Sequence, residues 1–206
     1  MKQAFVALLC ALVLGGCLGG GAGPARQFFV LEAPAAPAVP RAAAPLPMTL
    51  LVSATTVDAF YEADSLVFSR VAGERQYYQF ASWTERPTRR IAHLAQRRIE
   101  ARGSFAAVAG LASGVRGDLL LNVALMDFYH DAAASPGNVR VALAAELVDA
   151  RTRSLLGRRV FVAAAPVASD DARGAVAGFD RATAEALDAL VVWVEATAAG
   201  STKPAR

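Results

Sequence analysis

Two histidines and two cysteines are the residues of this 206-residue chain best suited to hold a metal or form a covalent bond. His130 falls in the stretch DFYHD, with Asp127 and Asp131 beside it. One imidazole and two carboxylates make a borderline ligand set, and in an extended chain the three side chains do not share a face. The expected reading is a solvated turn. His93 lies among arginines. The chain has no G-x-S-x-G, no H-E-x-x-H and no phosphate-binding loop, and GVRGD has neither the lysine nor the spacing for phosphate. Tyr77, Tyr78 and Trp83 could stack a sugar or a base, but aromatics beside a strand end belong more often to a core. These residues therefore predict no catalytic site, no metal and no cofactor, and an enzyme is not expected.

Cys17 is different. It closes the run ALVLGG and is followed by LGGGAG. Lys2 is the sole charge before it, and the apolar run Ala4–Leu14 is too short to span a bilayer, which takes about 20 apolar residues. A positive start, a short apolar segment and small residues before a cysteine make a secretory leader. LGGC resembles the bacterial lipobox, in which the leader is cut before the cysteine and its thiol receives a diacylglyceryl group. The resemblance implies that residues 1–16 are a signal peptide and that Cys17 is lipidated, a covalent lipid taking the place of any cofactor. Acyl chains contribute about 0.8 kcal/mol per buried methylene, so two or three of them give a lasting anchor. Residues 17–26 then read as a flexible tether. Loss of the leader removes Cys10 and Lys2, which leaves no disulfide partner and takes the formal charge from +3 to +2. That balance does not point to nucleic acid.

The remaining residues, 27–198, fit one folded domain, with 199–206 as a disordered tail. Gln27–Pro34 reads as a strand and 33–47 as a proline-rich loop in extended conformation. Met48–Val57, Ser65–Val71 and Gln76–Ser82 read as strands, the last two forming a hairpin about Ala72–Arg75. Thr84–Gly103 is the clearest helix. Thr84 can cap, Pro87 suits the first turn and Gly103 the stop, while Ile91, Leu94, Ala95 and Ile99 form one stripe. Ser104–Gly110 reads as a short buried strand. Three longer strands (Asp118–Tyr129, Asn138–Val148 and Ser154–Ala164) read as an antiparallel meander. Val176, Phe179, Thr183, Leu187, Leu190 and Val194 mark a second helix over Asp171–Thr197, capped by Asp170 or Asp171. The expected fold is α/β of the two-layer α+β kind: a mostly antiparallel sheet with two amphipathic helices packed on one face.

The stretches FFVLEAP and QYYQFASWTERPTRRIAHLAQRRI resemble the ABC-type transport auxiliary lipoproteins. This PqiC-like group accompanies MCE-domain lipid transporters of Gram-negative bacteria. The likeness rests on the strand at Phe28–Leu31 after the lipobox, on Tyr77, Tyr78, Trp83 and Pro87 ahead of the helix, and on the closing meander and helix. It implies a lipid-anchored protein on the periplasmic face of the outer membrane, docked to an MCE-domain membrane protein. Leu18, where an inner-membrane retention signal has aspartate, fits outer-membrane transfer. The candidate partner contacts are Glu74 and Arg75 at the hairpin tip and Arg86 at the strand-to-helix corner. Two other readings stay open: a lipoprotein that stabilises the envelope or activates peptidoglycan synthesis, and a periplasmic lipid carrier, which needs a cavity in place of a filled core.

Overall fold

The computed structural model describes residues 25–34, 44–56 and 59–201. Cys17, the leader, nearly all of the tether, most of the proline-rich loop and the last five residues lie outside the described residues. In chain order the elements are β1 (Gln27–Phe29), β2 (Leu46–Thr56), a 3₁₀ turn (Ala59–Glu62), β3 (Ser65–Ser69) and β4 (Gln76–Trp83). Then come α1 (Pro87–Arg102), β5 (Phe105–Gly110), a second 3₁₀ turn (Leu111–Ser113), β6 (Leu119–Asp131), β7 (Asn138–Asp149), β8 (Leu155–Pro166) and α2 (Ala172–Ser201). This is an α+β fold, an eight-stranded mixed sheet with two helices.

β6 is the spine. At 13 residues it spans roughly 43 Å at ~3.3 Å per residue, long enough to take two strands end to end along one edge. β2 pairs with its first half, from Leu50↔Leu119 to Thr56↔Leu125, and β3 with its last residues, Phe68↔His130 and Ser69↔Asp131. Its other edge carries β7 along its full length, and β8 follows β7. The β6–β7–β8 meander and the β3–β4 hairpin are antiparallel, as the sequence predicts. The other half departs from that expectation. β2 runs parallel to both β5 and β6, β3 parallel to β6, and β1 parallel to β4. The chain re-enters the sheet through α1, which crosses one face between β4 and β5, so part of the sheet is built by crossover rather than by hairpins.

Leu119, Leu121, Val123 and Leu125 of β6 alternate inward and are buried. A bulge at Met126 then shifts the phase, so that Phe128 and His130 rather than Asp127 and Tyr129 are buried. α1 lays Ile91, Leu94, Ala95 and Ile99 on the sheet, and α2 lays Phe179, Leu187, Leu190 and Val194 beside them. The helices run in the same direction, since Arg98 meets Asp188 and Arg102 meets Glu195.

Several local expectations are corrected. Thr84 does not cap α1. Pro87 holds Arg86 extended (φ −58°, ψ 129°), so the helix starts at Pro87 without a side-chain cap, and the Thr84 N–H donates to Phe29 O. Gly103 does end the helix, in the left-handed region at φ 62°. β1 stops at Phe29, and the following residues leave the sheet for the helices. Pro47 lies within β2, next to a register shift, where a missing N–H is tolerated. β5 is an edge strand with Ala106 and Ala107 exposed, not a buried one. α2 continues to Ser201, beyond the expected end of the folded body, and Asp171 Oδ1 caps it by accepting from the Gly174 N–H at 2.7 Å.

Candidate functional site

The 3₁₀ turn Ala59–Glu62 meets two of the three residues that the sequence singles out as partner contacts, Arg75 and Arg86. The Arg75 Nε–H donates to Tyr61 Oη at 3.3 Å, and its guanidinium lies 3.6 Å above the Tyr129 ring. Arg86 pairs with Glu62 at 3.6 Å. Phe60 stacks on Tyr77 at 4.5 Å, and the Tyr77 hydroxyl donates to Phe60 O. Asp127 closes the cluster by accepting from Arg140 Nε at 3.0 Å, with Arg75 at 3.8 Å. Glu74 and Arg86 are exposed, while Arg75 is folded back onto the sheet. The result is a surface that carries the exposed Glu74, Tyr77 and Arg86 and the half-buried Phe60 and Arg75, with the buried Tyr61 beneath them. Burial pushes the Tyr61 phenol above its usual range, partly offset by Arg75. Aromatic and arginine side chains fixed in this way are the residues that dominate protein interfaces. Phe60, Tyr61 and Glu62 carry no prior signal, because four residues are too few to show a period.

Tyr78, Trp83 and Pro87 face inward. Trp83 is 1% exposed and touches Phe128 and Phe179, with ring centroids at 5.7 and 5.4 Å. Pro87 is buried at the start of α1. Tyr78 Oη lies 2.7 Å from His130 Nδ1, and His130 Nε2 lies 2.6 Å from Pro136 O. A carbonyl can only accept, so Nε2 carries the proton, Nδ1 is the acceptor and the phenol donates. Burial, reinforced by Asp170 and Asp171, pushes Tyr78 up to about 12. The three possible metal ligands therefore go to separate partners: His130 to Tyr78 and Pro136, Asp127 to Arg140, and Asp131 Oδ1 to the Ala133 N–H.

The helix arginines divide into two sets. Arg89 and Arg97 are exposed, as expected of a solvated face. Arg90 and Arg98 turn onto the chain that follows β1. Arg90 donates to Leu31 O at 2.7 Å. Arg98 donates to Asp188 Oδ1 at 2.9 Å, Ala33 O at 2.7 Å and Pro34 O at 3.0 Å. From α2, Asp180 Oδ1 accepts from the Glu32 and Ala33 N–H groups. Residues 31–34 are thus clamped to both helices. Farther along, Arg102 and Ser104 both bond Glu195. Burial works to raise the Glu195 carboxyl, but these donors hold it below the usual carboxylate range. No helix among the described residues is long and apolar enough to cross a membrane.

The architecture is a mixed sheet with two parallel helices clamped to each other and to the chain that follows β1. The family model for the ABC-type transport auxiliary lipoprotein component matches residues 29–191. The chain belongs to that family. A crystal structure of a Xanthomonas campestris protein of the DUF330 family superposes with a TM-score of 0.77 at 23% identity, covering 85% of this chain and 99% of that one. A second crystal structure, of an uncharacterized protein, gives 0.65 at 12% identity, covering 82% and 99%. At these identities the likeness is one of fold. No curated protein matches the chain.

Proposed function

We propose that this protein is a non-enzymatic subunit of an ABC/MCE-type transport system that moves lipids or hydrophobic solutes across the periplasm. Lipid on Cys17 holds it to the periplasmic face of the outer membrane. The Phe60–Tyr77–Arg75–Arg86 surface docks the MCE-domain component. The observation that carries this reading is the family match over residues 29–191 in a chain whose start has the lipobox LGGC. Anchoring raises the local concentration of the docking surface, so a contact of about micromolar affinity suffices. The carrier reading draws less support, because the interior is filled by a single cluster centred on Trp83, Phe128 and Phe179. One surface cavity, about 590 Å³, is lined by Glu62, Glu85, Arg86 and Arg89 with Ala54 and Thr88, and another, about 560 Å³, includes Val52, Ala92, Leu111, Arg89 and His93 in its wall.

The test is a pull-down between the purified chain and the MCE-domain protein of its own transport system. Binding, weakened at least tenfold by Tyr77→Ala with Arg86→Ala, is the expected result. Failure to bind at low and moderate salt, with lipid retained by the lone protein, favours the carrier. Cys17→Ser should leave the fold intact and release the protein from the membrane fraction. Undiminished sedimentation with outer membranes would refute the anchor.

A further inference from the structure

The chain enters β1 at Gln27, with nine residues between it and Cys17. That edge of the sheet is apolar and open. β1 pairs with β4 on one side, and its other side is unpaired among the described strands. Phe29 packs on the core, so its neighbour Phe28 faces the other way and is 62% exposed. Val30, on the same side, is 45% exposed. Phe80, 41% exposed, stands in the irregular part of β4. It lines a cavity of about 300 Å³ with Gln27, Asp171 and Arg173, at the start of α2. Phe28 and Phe80 therefore flank one edge. The exposed cations there are Arg26 and Arg173. The exposed acids beside the edge are Glu32, two residues past Val30, and Asp170 and Asp171 before α2, the last engaged by the Gly174 N–H and the Ser169 hydroxyl.

We infer that this edge is a membrane-contacting face: Phe28, Val30 and Phe80 sit in the headgroup layer of the bilayer that holds Cys17, with Arg26 and Arg173 against lipid phosphates. The inference rests on the anchor reading. The length of the tether argues for a lipid surface. A glycine-rich stretch of nine residues has an expected r.m.s. reach of roughly 17 Å, so the β1 edge is the part of the body held nearest the headgroups. Exposed aromatic rings flanked by arginines are favoured at that depth, where an amphipathic surface meets an apolar interior. Seating this edge would fix the orientation of the body on the membrane, which a flexible tether alone cannot do.

The experiment uses the full acylated protein in vesicles of phosphatidylethanolamine and phosphatidylglycerol, 3:1, with and without headgroup-proximal doxyl lipid. Single cysteines at Phe28→Cys and Phe80→Cys carry bimane. Val162→Cys, on the exposed outer face of β8, and Thr152→Cys, in the β7–β8 turn, are controls. Doxyl lipid is expected to quench the labels at 28 and 80 at least threefold more than those at 162 and 152. Equal quenching at all four positions, with the protein still floating with vesicles, overturns the membrane face and leaves the anchor reading intact. Loss of flotation overturns both. Labels at 28 and 80 that change only when the MCE-domain component is added assign this edge to that protein and overturn the inference.

Discussion

Replacing Trp83 with alanine should remove a large side chain that ties β4 to both β6 and α2. Trp83 is 1% exposed, and its ring meets Phe128 at 5.7 Å and Phe179 edge-on at 5.4 Å, while Phe128 and Phe179 touch at 4.2 Å. Among the described residues its Nε1 has no hydrogen-bond partner, so the loss is chiefly one of packing. Truncating a buried Trp costs about 3–5 kcal/mol, and the aromatic pairing places this site toward the upper end. For a domain of this size each kcal/mol shifts Tm by roughly 2–4 °C, so a drop of about 10–15 °C is expected. The assay is thermal unfolding followed by far-UV circular dichroism, which does not depend on the lost indole. Trp83→Phe, which keeps an aromatic ring between the same neighbours, should recover about half of the loss. A Tm within about 2 °C of the parent would refute the claim that this cluster holds the hairpin to the helices.

Arg98→Met should cost about 1–3 kcal/mol in urea unfolding, because the Ala33 and Pro34 carbonyls lose a buried donor. Arg98→Lys should recover less than half, since an ammonium lacks the planar fork that reaches three acceptors. Tyr78 titrates at about 12 in the fold against ~10 when unfolded, so its contribution is intact below pH 10 and is lost between pH 10 and 12. Tyr78→Phe should flatten part of that alkaline decline, and an unchanged slope in pH-dependent denaturation would contradict the assignment. Glu195 is shifted the other way. Its stabilisation is present above its unfolded pKa of ~4.3 and is lost as pH falls through the lower folded value. Glu195→Gln should reduce the loss of stability below about pH 4.

The helices and the meander were legible because their signals are local. The stripe Ile91, Leu94, Ala95 and Ile99 is buried as its spacing predicts, and the inward set Val139, Val141, Leu143, Ala145 and Leu147 of β7 is buried to the last residue. What the sequence hid is non-local. An apolar run such as Leu50–Val52 fits a parallel or an antiparallel neighbour equally well, so the pairing of β2 between β5 and β6 could not be read from it. The alanines of β5 read as buried, yet they lie on an edge. Arg75 reads as a hairpin-tip contact, but a tyrosine ring draws it inward, and nothing in the helix period marks Arg98 as the donor to the carbonyls after β1. The proposed docking surface is half legible in the sequence. Glu74, Arg75 and Arg86 are marked by the sequence, but the Phe60–Glu62 turn that joins Arg75 and Arg86 appears only in three dimensions.

The account places the transporter contact on the Phe60–Tyr77–Arg86 surface, and photo-crosslinking in living cells tests this most directly. A photoreactive residue would be introduced at Glu74, at Tyr77 or at Leu155, the last exposed at the start of β8. The account predicts adducts with the MCE-domain component from positions 74 and 77 and none from 155. Adducts from 155 alone, or no adduct with the transporter from any of the three, would contradict it.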